Sequence, residues 1–196
     1  GAFLTGDLFN LFVFFEVLLI ASYALLLHGL AADRVRAALH VVVLNLIGSA
    51  LFLLGVALIY GVTGTLNLAD LARAIPALTS ADAPLARTGA LLLLVVFALK
   101  SALLPLGFWF PRAYGAAAAA VAALFAVLTK VGVYAVLRVY PLAFGPQAGE
   151  LANVAEPWLL PLALATLAFG ALGVLAARSL RTAAGWVVLY SVGSLL

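Results

Sequence analysis

Long apolar runs separated by short polar punctuation dominate this chain, and their lengths decide its class. The runs cover about 6–28, 39–60, 88–110, 116–140, 158–177 and a last, truncated piece, 182–196. About 20 helical residues, rising 1.5 Å each, cross the ~30 Å hydrocarbon core of a bilayer. The pattern predicts an all-α, polytopic transmembrane helix bundle of about six spans, forming a single transmembrane domain over 1–196. The chain opens on Gly1 with loop-like GAFLTGD, without a charged n-region, and stops within an apolar run. An interior piece of a longer protein is therefore expected.

Local chemistry punctuates these runs. Asp7 stands where an N-cap or first-turn acid is favoured, and Gly29 with Asp33, Arg34 and Arg36 closes the first span. Asn45 beside Gly48-Ser49-Ala50 predicts a slim helix face, with an amide able to bond across the contact. In the polar interval 61–87, Gly64-Thr65 and Asn67 offer turn and capping chemistry. The spacing from Leu68 to Ile75 predicts a short interfacial helix that Pro76 and Pro84 keep from extending. Pro105 lies inside an apolar run, so the third span must kink or break there. A second piece from Leu106 to Phe110 is expected to end at Pro111-Arg112. Broken backbone at membrane depth is tolerated only where protein or a wet cavity surrounds it.

Composition sharpens this picture. The chain is 67% hydrophobic and only 9% charged, too apolar for a soluble domain of 196 residues. Its net charge of +3 comes from scattered loop arginines, which does not suggest a nucleic-acid surface. With no cysteine and two histidines there are too few ligands for a zinc or haem site, and no glycine-rich phosphate loop is present, so no cofactor is expected. Arg34, Arg36, Arg112, Arg178 and Arg181 fall on one side of the membrane, which makes that side the cytoplasmic candidate. The other side holds Arg73, Arg87 and Arg138, diluted by five acids.

Three ionisable residues sit where apolar ones belong: Glu16, Lys100 and Lys130. Glu16 lies about ten residues into its span, roughly 15 Å deep. Lys100 is three turns or more from Arg87 and from Pro111, beyond snorkelling reach of either end. A charge at the bilayer centre costs at least ~2.5–3.5 kcal/mol on insertion scales, and such residues usually mark ion paths or internal pairs. A cation moved towards or away from a buried carboxylate switches its proton affinity, so the trio is read as a proton relay whose groups face one another inside the bundle. The bland alternatives are a static ion pair, or lysines held by carbonyls freed at the break. A purely structural buried pair is usually no better than hydrophobic packing, which favours function. His28 and His40, near span ends, are weaker candidates for an accessory proton path.

GDLFNLFVFFEVLLIASYALL, NLIGSALFLLGVALIYGVTGTLNLADLA, FALKSALLPLGFWFPRAYGAA and LFAVLTKVGVYAVLRVY together resemble the antiporter-type membrane subunits. That family joins the Mrp multisubunit sodium/proton antiporters to the proton-pumping subunits of respiratory complex I, and FNLFVFFEV with YGVTGTLNLADLA is most similar to the D-type Mrp subunits. The resemblance implies an antiporter-like inverted-repeat fold. It makes Glu16 and Lys100 the charge pair of one half-channel, with Lys130 the relay onwards. It also implies a multi-pass subunit of the bacterial inner (plasma) membrane, embedded in lipid among other membrane subunits, exchanging protons for Na⁺ or K⁺. At PRAYGAAAAA the chain departs from the family, which carries a histidine and prolines where Tyr114-Gly115 and alanines stand.

Three functions follow as expectations. The first is a secondary cation/proton antiporter subunit, which is not an enzyme in itself. The second is the proton-moving subunit of NADH-quinone oxidoreductase or a membrane-bound hydrogenase. The third is a non-transporting membrane scaffold whose charges fix helix register.

Overall fold

The computed structural model describes residues 1–27 and 32–196; His28 lies outside the described residues, as do the side chains of Arg34, Arg36 and Arg112. Among the described residues eight α-helices follow in order: α1 (Leu8–Leu27), α2 (Ala32–Thr63), α3 (Leu68–Ala74), α4 (Ala83–Ser101), α5 (Phe110–Ala116), α6 (Ala119–Ala143), α7 (Glu156–Leu175) and α8 (Leu180–Leu195). Five stretches are long and apolar enough to cross a bilayer: Leu8–Leu26, Leu39–Thr63, Ala83–Trp109, Ala119–Ala143 and Gly149–Leu175. The expected count of about six is thereby corrected to five among the described residues. Ser179 caps α8 by accepting the Thr182 N–H at 3.2 Å, and the last expected run, 182–196, forms this helix as far as Leu195. It lies along α7, where Gly170 meets the backbone of Tyr190 and Gly193 meets that of Leu167.

Prolines act differently from expectation in two places. Pro84 occupies the first turn of α4, where a missing N–H is harmless, so the helix starts at Ala83 and not near Thr88. Pro111, expected to end a helical piece, instead opens α5. Pro141 sits in the last turns of α6, which continues to Ala143. Asp7 Oδ1 accepts the Asn10 N–H at 2.9 Å at the start of α1. Asn67 Oδ1 caps α3 through Ala69 N–H at 2.9 Å, and an isolated antiparallel bridge ties Asp7 to Asn67. That bridge pins α3 to the end of the bundle formed by the start of α1 and the end of α2.

The break in the third span is built by its neighbours. The helix stops at Ser101, and Ala102 takes a left-handed conformation at φ 60, which a residue with a Cβ adopts at a cost of about 1–3 kcal/mol. A turn over Leu106–Trp109 then leads into α5. Gly107 lies so close to the Ala102 carbonyl that any side chain there would collide with it. Backbone groups freed inside a membrane need partners. Leu104 N–H donates to Thr166 Oγ1 of α7 at 2.9 Å, and Trp109 Nε1–H donates to the Leu99 carbonyl at 3.2 Å.

At the centre, α4 packs between α2 and α6, with α1 against α2. Phe15, Phe52 and Phe97, one each from α1, α2 and α4, join edge-on or stacked with centroids 5.5–6.4 Å apart. Tyr140 of α6 abuts Phe97, and its hydroxyl donates to the Ala90 carbonyl at 2.7 Å.

Candidate functional site

Directly beside this aromatic cluster, three helices bring three polar side chains together. Each is close in sequence to one of the rings: Glu16 follows Phe15, Ser49 precedes Phe52 by one turn, and Lys100 follows Phe97 by one turn. Lys100 Nζ stands 3.9 Å from Glu16 Oε1, with the lysine side chain 2% exposed and the glutamate 26% exposed. That separation is an ion pair but too long for a hydrogen bond. The Ser49 hydroxyl fills the gap. It donates to Glu16 Oε1 in a short contact, lies 2.9 Å from the Asn45 carbonyl, and accepts from Lys100 Nζ at 3.5 Å.

Local sequence explains why the lysine reaches this point. Lys100 occupies the last turn of α4, where the negative end of the helix favours a cation. Gly48 lets α2 lie close to the end of α4: a Cβ there would lie 2.8 Å from Leu99 Cδ2. The ammonium also sits 5.9 Å from the centre of the Phe15 ring, within cation–π range. The three phenylalanines close the pair off from the end of the bundle that carries α3.

Lys130 belongs to a different pocket. Gly132 is the contact by which α6 crosses α4, since a Cβ there would lie 2.5 Å from Ser101 N and 2.9 Å from the Lys100 carbonyl carbon. Residues two apart on a helix face opposite ways, so Lys130 turns from Lys100 towards α8. It donates to Ser191 Oγ at 2.5 Å and to the Val188 carbonyl at 3.3 Å. The expectation that all three ionisable groups face one another thus meets a split: Glu16 and Lys100 come together, and Lys130 does not join them. Among the described residues no carboxylate forms an ion pair with Lys130.

The remaining candidates are placed as follows. Pro105 sits within the break, beyond the end of α4. His40 is exposed on α2, its ring edge-on to Phe108 at 5.9 Å. It is nine residues from Ser49, about 13 Å along the helix. Asn45, expected to bond across a helix contact, instead donates from Nδ2 back to the Val41 carbonyl at 2.9 Å, and its buried Oδ1 has no partner among the described residues. The i−4 carbonyl is the nearest acceptor to a short polar side chain within a helix. Among the described residues no three His, Asp or Glu side chains gather as a metal-ligand set. Sequence reasoning did not single out Ser49 and Ser191 as polar partners. Their signal was a hydroxyl in an apolar run, at the depth of a charge on another span.

Comparison with known proteins supplies the context. The family described as NADH:quinone oxidoreductase/Mrp antiporter, transmembrane, matches residues 5–187. A probable K(+)/H(+) antiporter subunit, of the D type, from Rhizobium meliloti (strain 1021) is 53% identical over the whole chain, which covers 36% of that relative. Among solved structures, a chain of the membrane-bound sulfane sulfur reductase, an archaeal respiratory membrane complex, superposes with TM-score 0.85 at 33% identity, over 96% of this chain and 38% of the other. A chain of the Mrp complex from Dietzia sp. DQ12-45-1b superposes with TM-score 0.83 at 35% identity, over 99% of this chain and 35% of the other. The chain therefore spans little more than a third of the length of these relatives.

Proposed function

Because the chain belongs to the NADH:quinone oxidoreductase/Mrp antiporter transmembrane family, we propose that it is part of the membrane subunit of a cation/proton antiporter complex. In this reading it moves protons through Glu16, Lys100 and Lys130, coupled to efflux of K⁺ or Na⁺. The observation that carries the reading is the Glu16–Lys100 pair, 3.9 Å apart at the end of a broken helix. A cation that approaches or leaves a buried carboxylate changes its proton affinity, so opening and closing the pair loads and releases a proton. The break supports this role, since a helix that ends at membrane depth can swing its last turn without dragging a second half with it.

The working environment follows from the same reading. The chain sits as a multi-pass protein in a bacterial plasma membrane, among other membrane subunits, with lipid against the outer faces of α1, α2 and α7. Relatives named as K⁺/H⁺ and as Na⁺/H⁺ antiporter subunits support either cation as the exchanged ion. A second reading is favoured by the likeness to a respiratory membrane complex: the same proton path, driven by redox chemistry in partner subunits. What co-purifies with the full-length protein separates the two, antiporter-type membrane subunits or flavin and iron–sulfur subunits.

The central test is Lys100→Ala in the assembled complex. Cation-driven proton movement in proteoliposomes should be abolished while the subunits still co-purify. Undiminished transport would refute the assignment and favour a scaffold.

A further inference from the structure

We infer that Ser49 is the hydroxyl through which Glu16 and Lys100 exchange a proton. This rests on the proton-moving reading of the pair and adds a component to it. The carboxylate and ammonium are 3.9 Å apart, too far for direct transfer, whereas Ser49 Oγ contacts both. A serine hydroxyl has one proton and two lone pairs. Here that proton has two competing acceptors, Glu16 Oε1 and the Asn45 carbonyl at 2.9 Å. The side chain is 8% exposed by residue, so bulk water does not stand in for it.

The geometry defines two hydrogen-bond arrangements. With Glu16 ionised and Lys100 charged, Ser49 donates to the carboxylate and accepts from the ammonium. With Glu16 protonated, the carboxyl O–H donates to Ser49 Oγ, and the serine proton turns to the Asn45 carbonyl or to a neutral Lys100. Transfer from that state is balanced. The Glu16 O–H breaks as a new Ser49 O–H forms, and the original Ser49 O–H breaks as an N–H forms on Lys100. Carboxylate, hydroxyl and ammonium result, with no oxidant or other co-reactant. The Asn45 carbonyl, already accepting within its own helix, serves as the resting acceptor that lets the hydroxyl turn without losing a bond. Gly48 next door lets α2 and α4 approach here, because a side chain there would press on Leu99.

The test uses the full-length protein in its assembled complex, reconstituted in liposomes. Proton flux and its pH profile are measured for Ser49→Ala, Ser49→Thr, Glu16→Gln and Lys100→Ala, with infrared difference spectra of the carboxyl C=O band that Glu16→Gln removes. Ser49→Ala is expected to lower flux about 10- to 100-fold, the range a hydrogen bond to a charged group is worth. It should also shift the pH profile and move the carboxyl band. Ser49→Thr, which keeps the hydroxyl, should restore most of the flux. Flux, profile and band all unchanged in Ser49→Ala, with Lys100→Ala inactive, would overturn the inference and leave the ion pair standing. Equal losses in the alanine and threonine variants with an unmoved band would reduce Ser49 to packing and overturn it too. Full transport in Lys100→Ala would remove the premise and the inference together. If the alanine variant fails to assemble, Ser49→Cys replaces it: a weak donor should give intermediate flux, and wild-type flux would count against the relay.

Discussion

The two lysines of the apolar spans solve the same problem in opposite ways. Lys100 has a carboxylate across the gap, a serine between, and an aromatic ring beside it, contributed by α1 and α2. Lys130 has a serine hydroxyl and a backbone carbonyl of α8, both neutral. A charge paired with an opposite charge is sensitive to that partner's protonation; a charge held by neutral dipoles is sensitive to how well they are aimed. The first arrangement suits a group that loads and unloads together with a neighbour. The second suits one that passes a proton on when its cradle moves. Glycine sets the two apart: Gly132 brings α6 onto α4 and so sends Lys130 to the far side.

Replacing Phe97 with alanine should have the largest effect on the comparison. It removes a fully buried ring from the aromatic cluster beside the Glu16–Lys100 pair, at a cost of about 3–5 kcal/mol. Thermal unfolding of the complex should drop accordingly, with a proton leak that Lys130 replacements do not produce. Gly132→Ala comes next, because the added methyl meets the Ser101 backbone and not a yielding side chain. Overpacking of about 1–3 kcal/mol is expected, and loss of transport without loss of either lysine would show that their separation matters. Unaltered transport there would sink the idea that α6 acts as a wedge.

Smaller effects probe the neutral cradle. Ser191→Ala leaves Lys130 the Val188 carbonyl, so flux should fall about 10-fold, the low end of what a hydrogen bond to a charged group carries, and no more than in Ser49→Ala. A larger loss than at Ser49 would invert the ranking of the two sites. His40→Ala should change stability by no more than about 0.5 kcal/mol, as for exposed positions away from special features. Transport assayed in that variant should stay at the wild-type rate; a marked drop would give His40 a part in proton uptake.

Much of the architecture is legible from pattern alone, and its misreadings have local causes. Apolar run length locates all five crossing stretches, since a helix buried in lipid must be apolar over its whole length. Along the chain Pro84 and Pro111 look like stops, yet both lie in the first turn of a helix. A proline is harmless in a first turn, and a sequence does not mark which turn is first. Asn45 looks able to bond across helices because nothing along the chain weighs that against its own i−4 carbonyl.

Taken alone, the order of residues determined that this is a helical membrane protein with three charges in apolar segments and a break near Pro105. Those properties follow from transfer into hydrocarbon and from proline's missing N–H, both of which act residue by residue. Only the packed bundle decided which helices adjoin, and with it that Glu16 meets Lys100 through Ser49 while Lys130 turns to α8. Neighbours in space are chosen by side-chain fit between helices, at glycines such as Gly48 and Gly132, and that complementarity has no period along the chain.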